Sequence, residues 1–147
     1  MKQFEEKSDK TPESSNQPSL IRAAGYIRSA TNEQNWETEQ LALIYEYGAE
    51  HNVEIVQIYA DGGVGGKISD KWVGFKKMLD ETTSGQADFQ VIIMKDVSRM
   101  GRFLDIGQVD YYRHIFGRFG VSIEFCFSGI EIRTDEIGKA VITMVKK

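Results

Sequence analysis

The chain opens polar and then alternates short apolar runs with longer stretches of helical spacing. Residues 1–19, MKQFEEKSDKTPESSNQPS, hold both prolines and only two apolar side chains, Met1 and Phe4. So little apolar surface cannot offset the entropy lost on ordering, and the segment reads as a disordered arm. From Leu20 the pattern changes. LIRAAGYI (20–27), VEIVQIYA (53–60), FQVIIM (89–94) and VSIEFCF (121–127) read as strands. The third is an unbroken apolar run of the kind that parallel sheets bury on both faces. Between the strands, Leu41, Ile44, Tyr45 and Gly48 fall at helical spacing, and residues 71–83 place Trp72, Phe75, Met78 and Leu79 on one helical face. Residues 103–119 read as a longer helix ended by Gly120, and 137–145 as a last amphipathic helix. This alternation of strand and helix predicts an α/β, doubly wound sheet whose ligand crevice lies outside the carboxyl ends of its strands.

Three strand-exit loops, 28–35, 61–70 and 95–102, should meet at that crevice. Arg28 ends the first strand, where a buried guanidinium must be paired, solvated or facing an anion. The second loop, DGGVGGKISDK, carries Asp61 and four glycines. It has neither a Walker Lys-Ser/Thr nor a GxGxxG, so it is a weak nucleotide signature. The third, KDVSRMGR, sets Arg99 and Arg102 three apart at an expected helix start, near the positive end of the dipole, an arrangement that favours an anion between them. A flavodoxin-like or receiver-like domain would instead need Asp61 or Asp96 in an acidic Mg²⁺ pocket, and the acidic residues here are interspersed with arginine.

Composition narrows the setting. With 147 residues, 41% hydrophobic and 27% charged, one domain with one core is expected. The single Cys126 sits in an apolar run and cannot form an intramolecular disulfide, as suits a reducing cytoplasm. No apolar run approaches the ~18 residues of a membrane span, and the N-terminus lacks a signal-peptide core. A soluble, cytoplasmic protein without membrane contact is expected. The net charge of −4 leaves no global basic footprint, so nucleic-acid contact would fall to a local arginine cluster or to a segment outside this sequence.

Taken in order, the loops and their flanking helices resemble the catalytic domain of the serine recombinases, the resolvase/invertase family with its large phage-integrase and transposase relatives. Tyr26-Ile27-Arg28 resembles the family's Tyr-x-Arg-x-Ser strand end, and Gln40-x-x-x-Ile44-x-x-Tyr47 its Gln-x-x-x-Leu-x-x-Tyr helix. YADGGVGG resembles the Asp-x-Gly-x-Ser-Gly loop, VGFKKML the Gly-Phe-x-x-Met-Leu helix, and IIMKDVSRMGR the Val-x-Lys-x-Leu-x-Arg-Leu-x-Arg signature. The stretch 121–145 resembles the last strand and the start of the long dimerisation helix.

The resemblance implies a three-layer α/β/α domain over 20–147 with a mostly parallel resolvase-like sheet. It implies that the sequence stops within the dimerisation helix, without the family's DNA-binding domain. The implied partners are double-stranded DNA and further copies of the chain, as a homodimer or tetramer through the C-terminal helix. The implied chemistry is attack of a serine hydroxyl on a phosphodiester, needing neither metal nor cofactor. Arg28, Arg99 and Arg102 would hold the phosphate, and Asp61 and Gln40 fall on further site positions.

Departures from the pattern concentrate on the chemistry. Ala30 stands at the family serine position, and Ser29 beside it should point to the opposite strand face unless a bulge re-aims it. Trp72 replaces an arginine, with Lys71 next to it as a non-bidentate substitute; Ser98 stands for an acidic residue, and Gly65 for the loop serine. The implied function is therefore DNA strand cleavage and exchange, impaired if the missing hydroxyl is essential. The alternative is a noncatalytic relative that acts only by subunit association.

Removing residues 1–19 should change unfolding free energy by no more than ~0.5 kcal/mol, as for changes that touch no core. Urea titration of the shortened and full chains checks this; a larger loss means that the arm packs.

Overall fold

Small side chains at the centre of the first strand let helices close on both faces of it. β1 (Ile21–Ser29) is buried continuously from Ala23 to Arg28. A Cβ on Gly25 would stand 2.8 Å from the Ile58 side chain and 3.2 Å from that of Ile44, so glycine lets both pack closely there without shifting. The computed structural model describes residues 20–101, 106–134, 136–138 and 140–146. The expected N-terminal arm lies outside them, as do Arg102 and Phe103.

β1 is followed by α1 (Trp36–Glu50), β2 (Val53–Gly62), α2 (Val73–Thr83), β3 (Val91–Met94), a single 3₁₀ turn (Val97–Met100), α3 (Ile106–Arg118) and β4 (Ser122–Phe125). The four strands form one parallel sheet in the order β2-β1-β3-β4. One face packs on α1 through Ala23, Ile27, Ile44, Tyr47, Ile93 and Cys126. The other packs on α2 and α3 through a larger set that includes Tyr26, Trp72, Phe75, Met78, Ile92 and Phe116. The architecture is thus the expected three-layer α/β/α arrangement. β1 has β2 on one side and β3 on the other, so the chain reverses direction across the sheet between β1 and β3, where the crevice of an open sheet lies.

Two expectations fail. The segment 137–145, read as a helix, instead contains β6 (Ala140–Lys146), which pairs antiparallel with β5 (Phe127–Thr134) in a separate two-stranded sheet. Val141, Ile142, Thr143 and Val145 are β-branched, which favours the pleated conformation, and Gly138 takes a φ of 88° in the connecting turn. Helical periodicity in so short a run did not outweigh these preferences. The expected start of a dimerisation helix is therefore a strand here. Arg99, read as lying at a helix start, sits in the 3₁₀ turn, which Gly101 closes at a φ of 126°. The dipole argument for Arg99 does not apply to this turn.

α2 lies hard against β2. A Cβ on Gly74 would come 2.4 Å from the Ala60 carbonyl oxygen, a backbone atom that cannot step aside. Gly74→Ala should therefore destabilise the fold by about 1–3 kcal/mol, the usual cost of overpacking. A lowered urea midpoint at unchanged slope is the expected signature, and an unchanged midpoint would show that the helix shifts freely.

Candidate active site

The carboxyl end of β1 places Arg28 and Ser29 on opposite faces of the strand, as alternation requires. Arg28 turns toward the α2–α3 layer. Its Nε donates to the Arg99 carbonyl at 3.0 Å, Nη1 to the Val64 carbonyl at 2.6 Å and Nη2 to the Ser98 carbonyl at 2.6 Å. Its guanidinium carbon lies 4.5 Å from the centroid of the Trp72 ring. Only 6% of Arg28 is exposed, so the cation is a buried link among three loops. Burial, and after it the nearby Arg99 charge, push its pKa below the ordinary guanidinium value; Tyr26, Asp96 and Asp61 oppose that shift.

Its main chain is held as firmly. The last β1–β3 pair is at Gly25, and beyond it Gln40 of α1 takes over the strand's hydrogen bonds. Gln40 accepts from the Arg28 N–H at 3.1 Å and donates to the Arg28 carbonyl at 2.8 Å. The same carbonyl accepts from Arg99 Nη1, so Arg28 and Arg99 clasp each other reciprocally. Arg99 Nε is also 3.4 Å from Asp96, and Nη2 donates to Ser98 Oγ at 2.8 Å. Asp96 accepts from the Ser98 N–H at 3.0 Å and from its hydroxyl, capping the 3₁₀ turn.

Asp61, one residue before the end of β2, lies opposite Arg28 in the register. Both of its oxygens are engaged: Oδ1 accepts from Gly74 N–H at 2.7 Å, and Oδ2 from Phe75 N–H at 2.9 Å and from the Tyr26 hydroxyl at 2.7 Å. A carboxylate from the sheet thus caps α2, satisfying N–H groups that have no partner inside the helix. Burial, and then the bond to Asp61, push the Tyr26 pKa far above its ordinary value. Neither Asp61 nor Asp96 belongs to an acidic cluster; no metal-holding group of His, Cys, Asp or Glu occurs among the described residues. Nor does any helix among them have the length and apolarity to cross a membrane.

The other face of the strand end opens into a cleft of about 560 Å³ lined by Ser29, Ala30, Gln40, Lys95 and Arg99, with Glu33 and Glu39 at its acidic side. Lys95 Nζ lies 3.7 Å from Glu39. Ser29 and Ala30 therefore share one cleft with Arg99, while Arg28 does not line it. The irregularity in β1 falls between Ala23 and Ala24, so no bulge re-aims Ser29. Ser29 Oγ accepts from the Thr31 N–H at 3.2 Å. The glycine loop leans over this end: Val64 N–H donates to the Ser29 carbonyl at 3.2 Å, and a Cβ on Gly65 would stand 3.3 Å from that of Ala30. Lys71 is exposed and does not line the cleft, and Arg102 lies outside the described residues. Lys95, which the sequence places at the start of the third strand-exit loop without marking it as a candidate, joins the cleft.

Residues 23–147 match the family described as Resolvase, N terminal domain. Among solved structures, the chain is similar to the C-terminal catalytic domain of ISC1926 TnpA, an IS607-like serine recombinase, with 23% identity and a TM-score of 0.63 over 74% of this chain and 72% of that one. It is similar to the N-terminal catalytic domain of TP901-1 integrase at 15% identity and a TM-score of 0.59, covering 69% and 75%. A resolvase family site-specific recombinase from Streptococcus pneumoniae gives 23% identity and a TM-score of 0.58, covering 70% of each chain. At these identities the structural likeness is one of fold. No curated protein matches the sequence.

Asp61→Asn should lower stability by about 2 kcal/mol, because the amide nitrogen must face an N–H or O–H donor where the carboxylate accepted one. Combined with Tyr26→Phe, the loss should be less than additive, since the two share a bond. Urea unfolding of the single and double variants measures this, and strict additivity would mean that Tyr26 and Asp61 do not interact.

Proposed function

Since the chain belongs to the resolvase N-terminal-domain family, we propose that it is the catalytic domain of a site-specific recombinase that breaks and rejoins DNA, with Ser29 as the nucleophile. In this reaction the Ser29 Oγ–phosphorus bond forms as the bond from phosphorus to the 3′ oxygen breaks. The hydroxyl proton passes to the departing 3′ oxygen, leaving a phosphoserine link to the 5′ end. The observation that carries the proposal is the shared cleft: Ser29 lines it together with the cations Arg99 and Lys95. Phosphoryl transfer needs little else from a protein beyond a positioned nucleophile and fixed positive charge around the phosphoryl oxygens. Thr31 also reaches the cleft, but its hydroxyl donates to Glu33 at 3.1 Å. Arg28 contributes from behind: seated on the Ser98 and Arg99 carbonyls, it holds the turn that presents Arg99.

Ala30 favours a second reading, since it occupies the position of the family serine and carries no hydroxyl. On that reading the chain associates with other recombinase subunits and cuts nothing. Double-stranded DNA is the partner of the first reading, further copies or relatives of the chain that of the second.

Incubation with a pool of duplex fragments, denaturation, nuclease digestion and mass spectrometry of the peptides separates the two. A nucleotide-linked peptide modified at Ser29, lost in Ser29→Ala and retained in Ala30→Ser, is the expected result. A linked peptide that forms only in Ala30→Ser, at residue 30, assigns the nucleophile to the family position and the natural chain to the second reading.

A further inference from the structure

Arg28 carries its charge into the core, and among the described residues no carboxylate pairs with it. Three carbonyls accept from its N–H groups, and its guanidinium carbon lies over the Trp72 ring. Trp72 is wholly buried, at the residue preceding α2, and is braced edge-to-face by Phe75 at a centroid distance of 6.3 Å. Its indole N–H points to the Gly65 carbonyl at 3.4 Å, next along the chain from the Val64 carbonyl that accepts from Arg28. Cation and indole thus hold successive carbonyls of the glycine loop from beneath. The same loop meets Ala30 above, so its height over the strand end is fixed by what lies below it. A second guanidinium in place of the ring would repel Arg28, which already feels Arg99; a π face attracts it.

We propose that Trp72 is a positioning residue of the candidate active site: it seats Arg28 by cation–π stacking and sets the glycine loop against the Ser29–Ala30 strand end. The inference rests on the phosphoryl-transfer reading of that cleft, and its test separates the two. In the full chain, solvent exchange of the Arg28 Nε–H, followed by ¹⁵N NMR, should be at least tenfold faster in Trp72→Leu. In Trp72→Phe, which keeps a ring, it should be within about threefold of the wild type. Amide exchange at Ile92 and Ile93 in the sheet follows the global stability that truncating so buried a ring lowers, and in Trp72→Leu it should rise less than that of the Arg28 Nε–H. Exchange at Arg28 that is unchanged in Trp72→Leu, or that rises only in step with Ile92 and Ile93, overturns the proposal. Should Trp72→Leu not fold, Arg28→Met gives the reciprocal measurement. The chain has two tryptophans, so loss of the other indole signal in Trp36→Phe identifies that of Trp72. A Trp72 indole resonance that moves in Arg28→Met supports the seating, and one that stays fixed overturns it.

Bis(4-nitrophenyl) phosphate probes the chemistry: the Ser29 oxygen–phosphorus bond forms, one aryl oxygen leaves with its electron pair as nitrophenolate, and the serine proton passes to solvent. The aryl phosphodiester stays on Ser29, so each site releases one nitrophenolate in a burst; Trp72→Leu should slow that burst about tenfold at saturating ester with the half-saturating concentration within twofold, and Trp72→Phe should recover most of the loss. Equal burst rates in Trp72→Leu and the wild type overturn the positioning role while leaving phosphoryl transfer intact. No nitrophenolate release by the wild type, with the exchange differences present, overturns the phosphoryl-transfer reading and supports the seating of Arg28.

Discussion

Three hydrogen bonds from one buried guanidinium join the parts of this domain that would otherwise be independent loops. Arg28 takes one carbonyl from the glycine loop after β2 and two from the turn after β3, and it belongs itself to β1. Removing it would take this hydrogen bond from the inward-facing Val64 and Arg99 carbonyls, at about 1–3 kcal/mol each, while the Ser98 carbonyl would keep the Gly101 N–H at 3.2 Å. The arrangement also explains why the cation tolerates burial: carbonyl dipoles and an aromatic face replace its hydration shell, and Asp61 and Asp96 offset part of the desolvation from a distance. Gln40 and Arg99 fix the Arg28 backbone, so both the main chain and the side chain of one residue are over-determined.

From this follows a division of labour between the two faces of the strand end. On the α2–α3 face lie the structural groups: Trp72 under the guanidinium, and Asp61 capping α2. On the α1 face lies the cleft with Ser29, Arg99 and Lys95. Its electrostatics are finely balanced, because Glu33 and Glu39 oppose the two cations. The Lys95–Glu39 pair is 3.7 Å apart with Glu39 two-thirds exposed, so it contributes little, within about 0–1 kcal/mol. An incoming phosphate would therefore displace Glu39 from Lys95 at small cost. In a chain of net charge −4, such local rearrangement matters more than any long-range attraction.

Much of the fold was legible in the sequence because its central strands are unusually explicit. Small residues in β1 and the unbroken apolar run before Lys95 admit only burial on both faces, and the helices around them show clear periodicity. The C-terminal hairpin departs from the sequence reading because helical spacing in a nine-residue run competes with β-branched composition, and pairing with the adjacent β5 decides for the strand. Within the site, the strand-exit loops were identified by topology alone. What topology could not supply was direction. The Arg28 guanidinium donates to three carbonyls, and Asp61 caps a helix from a neighbouring strand; neither contact could be read from topology. Trp72 was visible on the apolar face of its helix and as a departure from the arginine pattern, but not as a partner of Arg28, since a cation–π contact spanning so many residues leaves no local sequence signal.

A crystal structure of the chain soaked in inorganic phosphate tests the central claim, that Arg28 stays in its carbonyl cradle while Arg99 serves the cleft beside Ser29. The account predicts one phosphate within hydrogen-bond reach of Arg99 on the Ser29 side of the strand, with Arg28 still bonded to the Val64, Ser98 and Arg99 carbonyls. An anion held by Arg28 swung out of its cradle, or bound on the Trp72 side, would contradict it.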